Sequence, residues 1–395
     1  MNLAAQNIED FNESGFEIER TNSPLKIAIV ASTARKNAST SYLVHLGISL
    51  MKRGHSVKYF VERNSHLEQI FSKLSNANVS NINFRKASAV NLFKNYSNFS
   101  KEMRNFQPDI INVFQGCDHS MGAFYALRNK VPIIRTRCTS KEVCEKFRFK
   151  YLYNRLSDGH ILSSDYMLYR DFVRKGLNTT GVEVIRTPFD IEAFRQNTPS
   201  QSEAKSYFNI PENSKVLGCI GKLAKRKGLL ELIDAFSSST HKDSILLISG
   251  LEDDLSALDI KKKISELGID NRVIVSNTII DDVRIPLLAS DVIAIPSLSS
   301  ESISTLAIEA LSLGIPLIAS RIHCLPETIG DAGILVKPGN KQELVKAIDY
   351  SLGNDLFRKK SSEKGPQRIK ARHSPKKFLL KTEELMRRAI LEKST

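Results

Sequence analysis

The sequence predicts an α/β chain with two doubly wound, Rossmann-like domains, and three observations support this prediction. Short apolar runs typical of buried parallel strands alternate with helical segments along most of the chain. The alternation occurs twice, on either side of a stretch rich in Pro, Asn, Gln and Ser at Thr187–Glu212. The length of 395 residues also exceeds what one hydrophobic core usually serves.

The first series of elements begins with an almost wholly apolar strand, Leu25–Ala31. Ser39–Arg53 follows with leucines at helical spacing, and Gly54 stands where a helix commonly ends. A further helix is predicted at Met121–Arg128. The remaining strands of this series are predicted at Ser56–Val61, Asp109–Phe114, Val131–Thr136, His160–Ser163 and Val182–Arg186.

The second series has the same alternation, and a basic helix is predicted at its end, over Pro375–Glu392. One of its helices should open near Ser304, directly after a strand and a polar loop. Its strands are predicted at Lys215–Ile220, Ile245–Ser249, Arg272–Ser276, Asp291–Pro296 and Pro316–Ser320.

Composition excludes several classes of protein. No run approaches 18 apolar residues, which argues against a membrane-spanning helix, and the acidic N-terminus lacks the apolar segment of a secretory signal. The five cysteines form no CxxC pair, so neither a zinc site nor a disulfide framework is indicated, and the cytoplasm is the expected compartment. The net charge of +14 fits an anionic ligand or an anionic membrane surface. It also fits nucleic acid, but no nucleic-acid-binding motif is present, and we expect no nucleic-acid partner.

The most informative segment runs from Asp291 to Leu335 and carries two glutamates, Glu301 and Glu309. A helix N-terminus placed just after a strand is an anion site, because its free amides and its dipole point at the incoming charge. Eight residues of helix rise about 12 Å, with side chains rotated roughly 80° apart. The two carboxylates therefore do not suit one metal ion, and no metal is expected. They suit the two ends of an elongated ligand with a phosphate group in its middle.

This segment resembles the donor site of glycosyltransferase family 4, the retaining, nucleotide-sugar-dependent enzymes of the GT-B type. The resemblance rests on ESISTLAIE (residues 301–309), GIPLIAS, LPE and GILVKPGN, and on IGKLAKRKGLLELIDAF upstream. It implies two facing Rossmann-like domains with a cleft between them. It also implies a nucleoside diphosphate-sugar as substrate and no separate cofactor.

The resemblance implies roles for particular residues of the second domain. Glu301 would bind the hydroxyls of the transferred sugar, Glu309 the ribose, and the amides around Ile303–Thr305 the phosphates. Lys222 and Lys227 are the candidates for neutralising the diphosphate, although the family usually has arginine at the first of these positions, and lysine lacks the bidentate fork. Further residues of the expected donor site are Gly221, Ser302, Ile303, Ser304 and Thr305, and the family often has glycine where Ser302 and Ser304 stand.

The acceptor side of the first domain fits the family less closely. Its opening loop lacks the common glycine pair, although Ser39 and Thr40 could still offer hydroxyls and amides. Where many members carry a histidine, this chain has Cys138, and Arg135 or Arg137 could take over its role. His119 is a further candidate for the acceptor side, although a single histidine after a strand is more often a loop residue than a catalytic group.

Two further patterns allow more than one interpretation. Lys141–Arg155 interleaves basic and aromatic residues, which favours a mixture of core and acceptor-binding surface. The alternatives are contact with a membrane and stacking on single-stranded nucleic acid. The acidic pairs Asp253–Asp254 and Asp281–Asp282 are adjacent in sequence, which argues against a shared metal ion.

The expected organisation has four parts. Residues 1–24 form a flexible tail, 25–190 the acceptor domain, 191–374 the donor domain, and 375–395 a helix that packs back on the first domain. The expected function is retaining transfer of a sugar to a glycan or lipid-linked acceptor in surface polysaccharide or lipopolysaccharide synthesis, in the cytoplasm or on the inner face of the membrane. The alternatives are a catalytically silent sugar-nucleotide or glycan-binding subunit and a nucleotide-sugar epimerase of the same fold.

Overall fold

The computed structural model confirms the predicted fold class, because it contains two parallel sheets, each with helices between successive strands. The structure describes residues 19–33, 38–74, 77–84, 89–139, 142–143, 147–278, 280–299, 301 and 303–394. Most of the acidic N-terminal tail, part of Lys141–Arg155 and the residue Ser302 therefore lie outside the described residues. The chain divides into two compact units. The C-terminal unit is Phe189–Arg372, and the N-terminal unit combines the segment that ends at Pro188 with the one that begins at His373.

The N-terminal unit contains a seven-stranded sheet of order β3-β2-β1-β4-β5-β6-β7, in which all neighbouring strands are parallel. Its strands are β1 Lys26–Ala31, β2 Ser56–Glu62, β3 Asn78–Ile82, β4 Ile110–Val113, β5 Ile133–Arg137, β6 Gly159–Leu162 and β7 Val182–Val184. Its helices are Ala38–Lys52, His66–Phe71, Ala89–Phe106, Gly116–Asn129, Phe147–Asn154, Asp165–Met167, the π-helical Leu168–Val173, and Pro375–Ser394.

The C-terminal helix Pro375–Ser394 belongs to the N-terminal unit, where it packs on β5, β6 and the helix Ala38–Lys52. The Phe378 ring meets Tyr42 edge to face at 5.2 Å between ring centroids, an arrangement that aromatic pairs prefer. The Glu383 carboxylate accepts a hydrogen bond of 3.0 Å from Arg53. The last helix therefore contributes to the core of the N-terminal unit.

The C-terminal unit contains a six-stranded parallel sheet of order β10-β9-β8-β11-β12-β13. Its strands are β8 Val216–Ile220, β9 Ile245–Ser249, β10 Val273–Ser276, β11 Val292–Ile295, β12 Leu317–Ser320 and β13 Gly333–Val336. Its helices are Ile191–Arg195, Gln201–Tyr207, Leu229–Ser238, Ala257–Glu266, Arg284–Leu288, Thr305–Ser312, Leu325–Ile329, Lys341–Gly353 and Asp355–Arg372, with 3₁₀ turns at Lys225–Lys227 and Asp270–Arg272.

Both faces of this second sheet are covered. On β11, Val292 and Ala294 pack into one apolar cluster, whereas Ile293 and Ile295 pack into another on the opposite face. A strand buried on both faces has an almost continuous apolar sequence, which is why the sequence pattern predicts it so directly.

The sequence pattern does not predict the strands β3 and β13, and each lies at an edge of its sheet. Asn78–Ile82 is largely polar and mostly outside the core, and Gly333–Val336 is only half-buried. An edge strand has one partner and one exposed side, so it does not need the apolar run on which the prediction depended.

Candidate functional site

The strand order of the second sheet reverses between β8 and β11, and this is the point at which open α/β sheets bind their ligands. Beyond the carboxyl end of β8 the chain makes the 3₁₀ turn Lys225–Lys227, and beyond that of β11 it forms the loop before the helix Thr305–Ser312. The Leu298 amide donates a hydrogen bond of 2.9 Å to the Arg226 carbonyl and joins the two loops. Two segments far apart in sequence thus form one surface at the switch point.

Gly228 allows this close approach. Its φ is +70°, in the left-handed region, and a Cβ at this position would lie 2.0 Å from the Pro296 carbonyl oxygen. Only glycine avoids both the strain and the clash. The turn that carries Lys227 is therefore held directly against the end of β11.

Lys227 and Glu301 form an ion pair at this point, between Nζ and Oε1. The Ser297 hydroxyl donates a further hydrogen bond of 2.7 Å to the same carboxylate oxygen. The Glu301 side chain is 7% exposed, whereas that of Lys227 is 29% exposed. The carboxylate is thus held in place, and the ammonium group remains open to solvent on one side.

The buried Cys324 lies near this carboxylate. Burial, and after it the charges of Glu301 and Glu327, raises the pKa of the Cys324 thiol to about 12. A thiol that stays protonated at neutral pH is a poor nucleophile. Cys324 therefore serves as a packing residue here.

The structure does not bring Lys222 to Glu301. Its side chain is 68% exposed, and its Nζ lies 3.8 Å from an Asp253 carboxylate oxygen. Asp254 accepts a hydrogen bond of 2.8 Å from the Lys225 amide. Asp253 and Asp254 thus both contact residues of the basic segment 222–227. Gly221, the other predicted residue of this loop, has φ +129°, and a Cβ there would meet nothing within 4 Å, so the backbone is open to a ligand.

The helix Thr305–Ser312 begins where the sequence predicts, with Ser304 as its N-cap. The Ser304 hydroxyl accepts a hydrogen bond of 3.4 Å from the Ala307 amide, which satisfies one of the free donors of the first turn. Ile303 and Thr305 are half-buried beside it. Glu309 lies inside the helix and is 1% exposed.

Sequence reasoning missed two residues that contact Glu301. Ser297 is one of many serines in this stretch, and nothing in the pattern distinguishes it. His323 lies in the turn after β12, and its Nδ1 accepts a hydrogen bond of 3.1 Å from the Glu301 amide. No local sequence pattern indicates this contact, because 22 residues separate His323 from Glu301 and only the fold brings them together.

The predicted acceptor residues of the N-terminal unit are all buried. The Ser39 hydroxyl donates a hydrogen bond of 3.0 Å to the Cys138 carbonyl, so the start of the helix Ala38–Lys52 is tied to the end of β5. Thr40 is buried next to Ser39. Burial raises the pKa of the Cys138 thiol well above its ordinary value, so it stays protonated.

The interpretation of His119 as a loop residue is wrong. It lies in the first turns of the helix Gly116–Asn129 and is fully buried. Its Nε2 is 2.8 Å from the Ser157 hydroxyl, and its Nδ1 contacts the Arg135 guanidinium. Burial, followed by the Arg135 charge, lowers the pKa of His119 well below its ordinary value, so the imidazole is neutral. The polar sequence around it resembled a loop because the residues of the first helical turn also cap the helix.

Arg137 takes part in a buried charge cluster with Asp171, Arg170 and Tyr153. The Asp171 carboxylate accepts hydrogen bonds of 2.9 Å from Arg137 and 2.7 Å from Arg170. Arg137 also donates a hydrogen bond of 2.7 Å to the Tyr153 hydroxyl. The only acid among these four residues, Asp171, thus holds two buried guanidinium groups.

Two features are absent from the described residues. Among those residues, no three His, Cys, Asp or Glu side chains are grouped so that they could hold a metal ion. None of the described helices is both long and apolar enough to cross a membrane.

Comparison with known proteins shows which family this part of the chain is similar to. Residues 200–368 match the model of the family described as Glycosyl transferases group 1. A curated relative, the D-inositol 3-phosphate glycosyltransferase of Corynebacterium urealyticum, is 30% identical over 207 residues, which are 49% of this chain and 48% of that protein. The chain thus spans about half the length of the curated relatives it matches.

Solved structures are similar over nearly the whole chain. A glycosyltransferase from Rickettsia africae gives a TM-score of 0.81 at 18% identity, over 93% of this chain and 99% of that one. The Anabaena protein Alr3699/HepE, in complex with UDP, gives 0.79 at 17% identity, over 91% of this chain and 99% of that one. Likeness at this level of identity shows a shared fold. The chain therefore has the two-unit α/β fold of GT-B glycosyltransferases, and its residues 200–368 are similar to the glycosyl transferases group 1 family.

Proposed function

We propose that this protein is a retaining glycosyltransferase that moves a sugar from a nucleoside diphosphate-sugar to a hydroxyl of a glycan or lipid-linked acceptor, without a metal ion. The observation that carries the proposal is the Lys227–Glu301 ion pair at the switch point of the C-terminal sheet. A cation and a carboxylate side by side match the two parts of such a donor, an anionic diphosphate and a sugar rich in hydroxyls.

Lys227 is the residue assigned to the diphosphate. Departure of a nucleoside diphosphate requires stabilisation of charge on its oxygens, and a cation already in place supplies it without reorganisation. The ammonium group is partly open to solvent, so it can reach a ligand while its backbone stays fixed beside Gly228. Lys222 is exposed and further from Glu301, and we assign it a secondary role on the outer phosphate oxygens.

Glu301 is the residue assigned to the sugar. A buried carboxylate accepts hydrogen bonds strongly, and sugar hydroxyls are donors. Lys227 and Ser297 both donate hydrogen bonds to this carboxylate. When a donor binds, the diphosphate replaces the carboxylate as partner of Lys227, and sugar hydroxyls replace the ammonium group as partner of Glu301. Glu309 is assigned to the ribose, and the backbone of Gly221 and of Ile303–Thr305 to the phosphates.

The choice of nucleotide is supported by a structural neighbour. The Anabaena Alr3699/HepE structures contain UDP and, in another crystal, UDP-glucose. We therefore propose a uridine diphosphate-sugar as the donor.

The N-terminal unit is the proposed acceptor-binding unit, and the basic C-terminal helix would favour an anionic membrane surface near it. This fits a peripheral enzyme of surface polysaccharide or lipopolysaccharide synthesis.

The environment of Cys138 favours a second candidate, a catalytically silent sugar-nucleotide-binding subunit. The thiol is buried and stays protonated, so it cannot replace a histidine as a hydrogen-bonding partner. Such a subunit would bind the donor with the same residues and would need an active partner for turnover.

The first experiment is calorimetric binding of UDP, GDP, ADP and uridine to the wild type, to Lys227→Ala and to Lys225→Ala. Lys225 lies in the same 3₁₀ turn and is exposed, so it matches the charge change without the contact to Glu301. We expect one diphosphate to bind and Lys227→Ala to lose at least about tenfold in affinity for it, because a charge-assisted contact is removed. Affinity for uridine should not change, nor should Lys225→Ala weaken diphosphate binding.

Equal losses in both lysine variants, or binding of none of the diphosphates by the wild type, would contradict the donor site. Product analysis with UDP-glucose then separates the candidates. Transfer to a crude glycan or lipid acceptor supports the transferase. Binding without turnover supports the silent subunit, and a changed sugar on intact donor indicates an epimerase.

A further inference from the structure

His323 lies in the turn between β12 and the helix Leu325–Ile329, against the loop that carries Glu301. The Glu301 amide donates a hydrogen bond of 3.1 Å to His323 Nδ1. The next residue, Cys324, donates its own amide to the Glu301 carbonyl at 3.3 Å. Both backbone polar groups of Glu301 are therefore held by two consecutive residues of a separate turn.

The backbone of His323 has a φ of +46°, in the left-handed region that favours glycine. Histidine occurs there less readily than glycine, so some compensating interaction must favour it at this position. A glycine would remove the strain but also the Nδ1 acceptor. We take the hydrogen bond from the Glu301 amide to be the interaction that compensates for this strain. Because Nδ1 accepts, the neutral imidazole carries its proton on Nε2.

The position of the Glu301 carboxylate depends on this contact. Its side chain is fixed by Ser297 and Lys227, and both contacts require the Glu301 backbone to stay where the turn holds it. When a ligand takes Lys227, the backbone contacts to His323 and Cys324 are what remain, with the Ser297 hydroxyl. Exact placement of a hydrogen-bonding group matters because small displacements weaken its contacts in the transition state.

We propose that His323 is a positioning residue, which fixes the backbone of Glu301 through Nδ1 so that the carboxylate can bind the transferred sugar. This inference rests on the proposed function, which places the sugar at Glu301. It predicts a role in binding and transferring the sugar, but not in binding the nucleoside diphosphate.

Three substitutions separate the hydrogen bond from the backbone strain. His323→Ala removes the acceptor and keeps a Cβ in the left-handed conformation. His323→Gly removes the acceptor and the strain together. His323→Asn places Oδ1 at the same number of bonds from the backbone as Nδ1, and asparagine tolerates left-handed φ. Only the asparagine variant can restore the contact.

Two measurements are made on each full-length variant. Deuterium uptake of peptides covering residues 296–306 reports the protection of the Glu301 amide. Calorimetry with UDP and transfer kinetics with UDP-glucose report the two parts of the donor. We expect His323→Ala and His323→Gly to raise uptake and to lower kcat/KM by about tenfold, the value typical of one hydrogen bond, with UDP affinity unchanged. His323→Asn should restore both measurements to within about threefold of the wild type.

Several results would overturn the inference. Unchanged uptake in His323→Ala would mean that the contact does not hold the loop. An asparagine variant as impaired as the alanine variant, or a loss of UDP affinity equal to the loss of transfer, would mean that His323 supports the whole site. Absence of UDP binding and transfer in the wild type would instead contradict the proposed function, while the uptake data would still decide whether His323 holds Glu301.

Discussion

Replacement of Asp171 by asparagine should strongly destabilise the N-terminal unit. Asp171 is fully buried, and so are the two arginines that it binds, Arg137 and Arg170. Asparagine has nearly the same shape but no charge. The substitution would therefore remove the carboxylate that the two buried guanidinium groups share, which costs far more than the loss of a surface ion pair.

Both arginines keep other contacts after the substitution. Arg137 keeps its hydrogen bond to the Tyr153 hydroxyl, and Arg170 keeps a long one of 3.4 Å to the Thr139 carbonyl. Neither of these two acceptors carries a negative charge. Removal of one partner of a buried ion pair costs about 3–5 kcal/mol. For a unit of roughly 200 residues, this corresponds to a fall in Tm of about 6–20 °C.

Differential scanning calorimetry of Asp171→Asn would measure this change, with Glu183→Gln as the control. Glu183 pairs with Arg388 at 3.2 Å in the same unit, but both side chains are more than a third exposed. Such a pair contributes less than about 1 kcal/mol. If Asp171→Asn lowers Tm no more than the control does, the buried cluster does not stabilise the unit as argued.

Acid provides an independent test of the same cluster. Burial alone would raise the pKa of the Asp171 carboxyl, but the hydrogen bonds and charges of Arg170 and Arg137 outweigh it, so the pKa lies below its ordinary value. The stabilisation is therefore complete above the unfolded pKa of about 3.9 and is lost as the pH falls below it. The difference in unfolding free energy between the wild type and Asp171→Asn should be constant from pH 7 to 5 and shrink below about pH 4.

Two further predictions concern the donor site. Glu301→Gln should lower the rate of sugar transfer at least about 100-fold, because it removes the anionic hydrogen-bond acceptor for the sugar. It should not weaken UDP binding, because Lys227 is no longer paired with the Glu301 carboxylate. Retained transfer, or a parallel loss of UDP affinity in calorimetry, would contradict the assignment. Gly228→Ala should lower the unfolding free energy in urea by about 2 kcal/mol or more, since its Cβ would meet the Pro296 carbonyl. The control is Gly268→Ala, because Gly268 has a similar positive φ and a Cβ there would have open space around it. This control should lower the unfolding free energy clearly less. Equal losses in the two variants would show that the structure relieves the clash at Gly228.

Much of the fold could be predicted because buried parallel strands are apolar on both faces, as on β8 and β11. The edge strands β3 and β13 could not be predicted in this way, because one side of each is open and their sequences need not be continuously apolar. The family resemblance is confirmed by the match over residues 200–368. It lies in the donor part of the chain, where the motifs follow each other closely in sequence.

The sequence by itself determined the alternation of elements, the loop with Glu301 and the helix whose N-cap is Ser304, because these depend on local periodicity and on residues near one another in the chain. It could not determine which lysine meets the carboxylate. Lys227 and Glu301 are 74 residues apart, and Lys222 lies in the same basic loop. Only the parallel pairing of β8 with β11 selects Lys227, because it brings the two loop backbones into contact and sets the distance that each side chain must span.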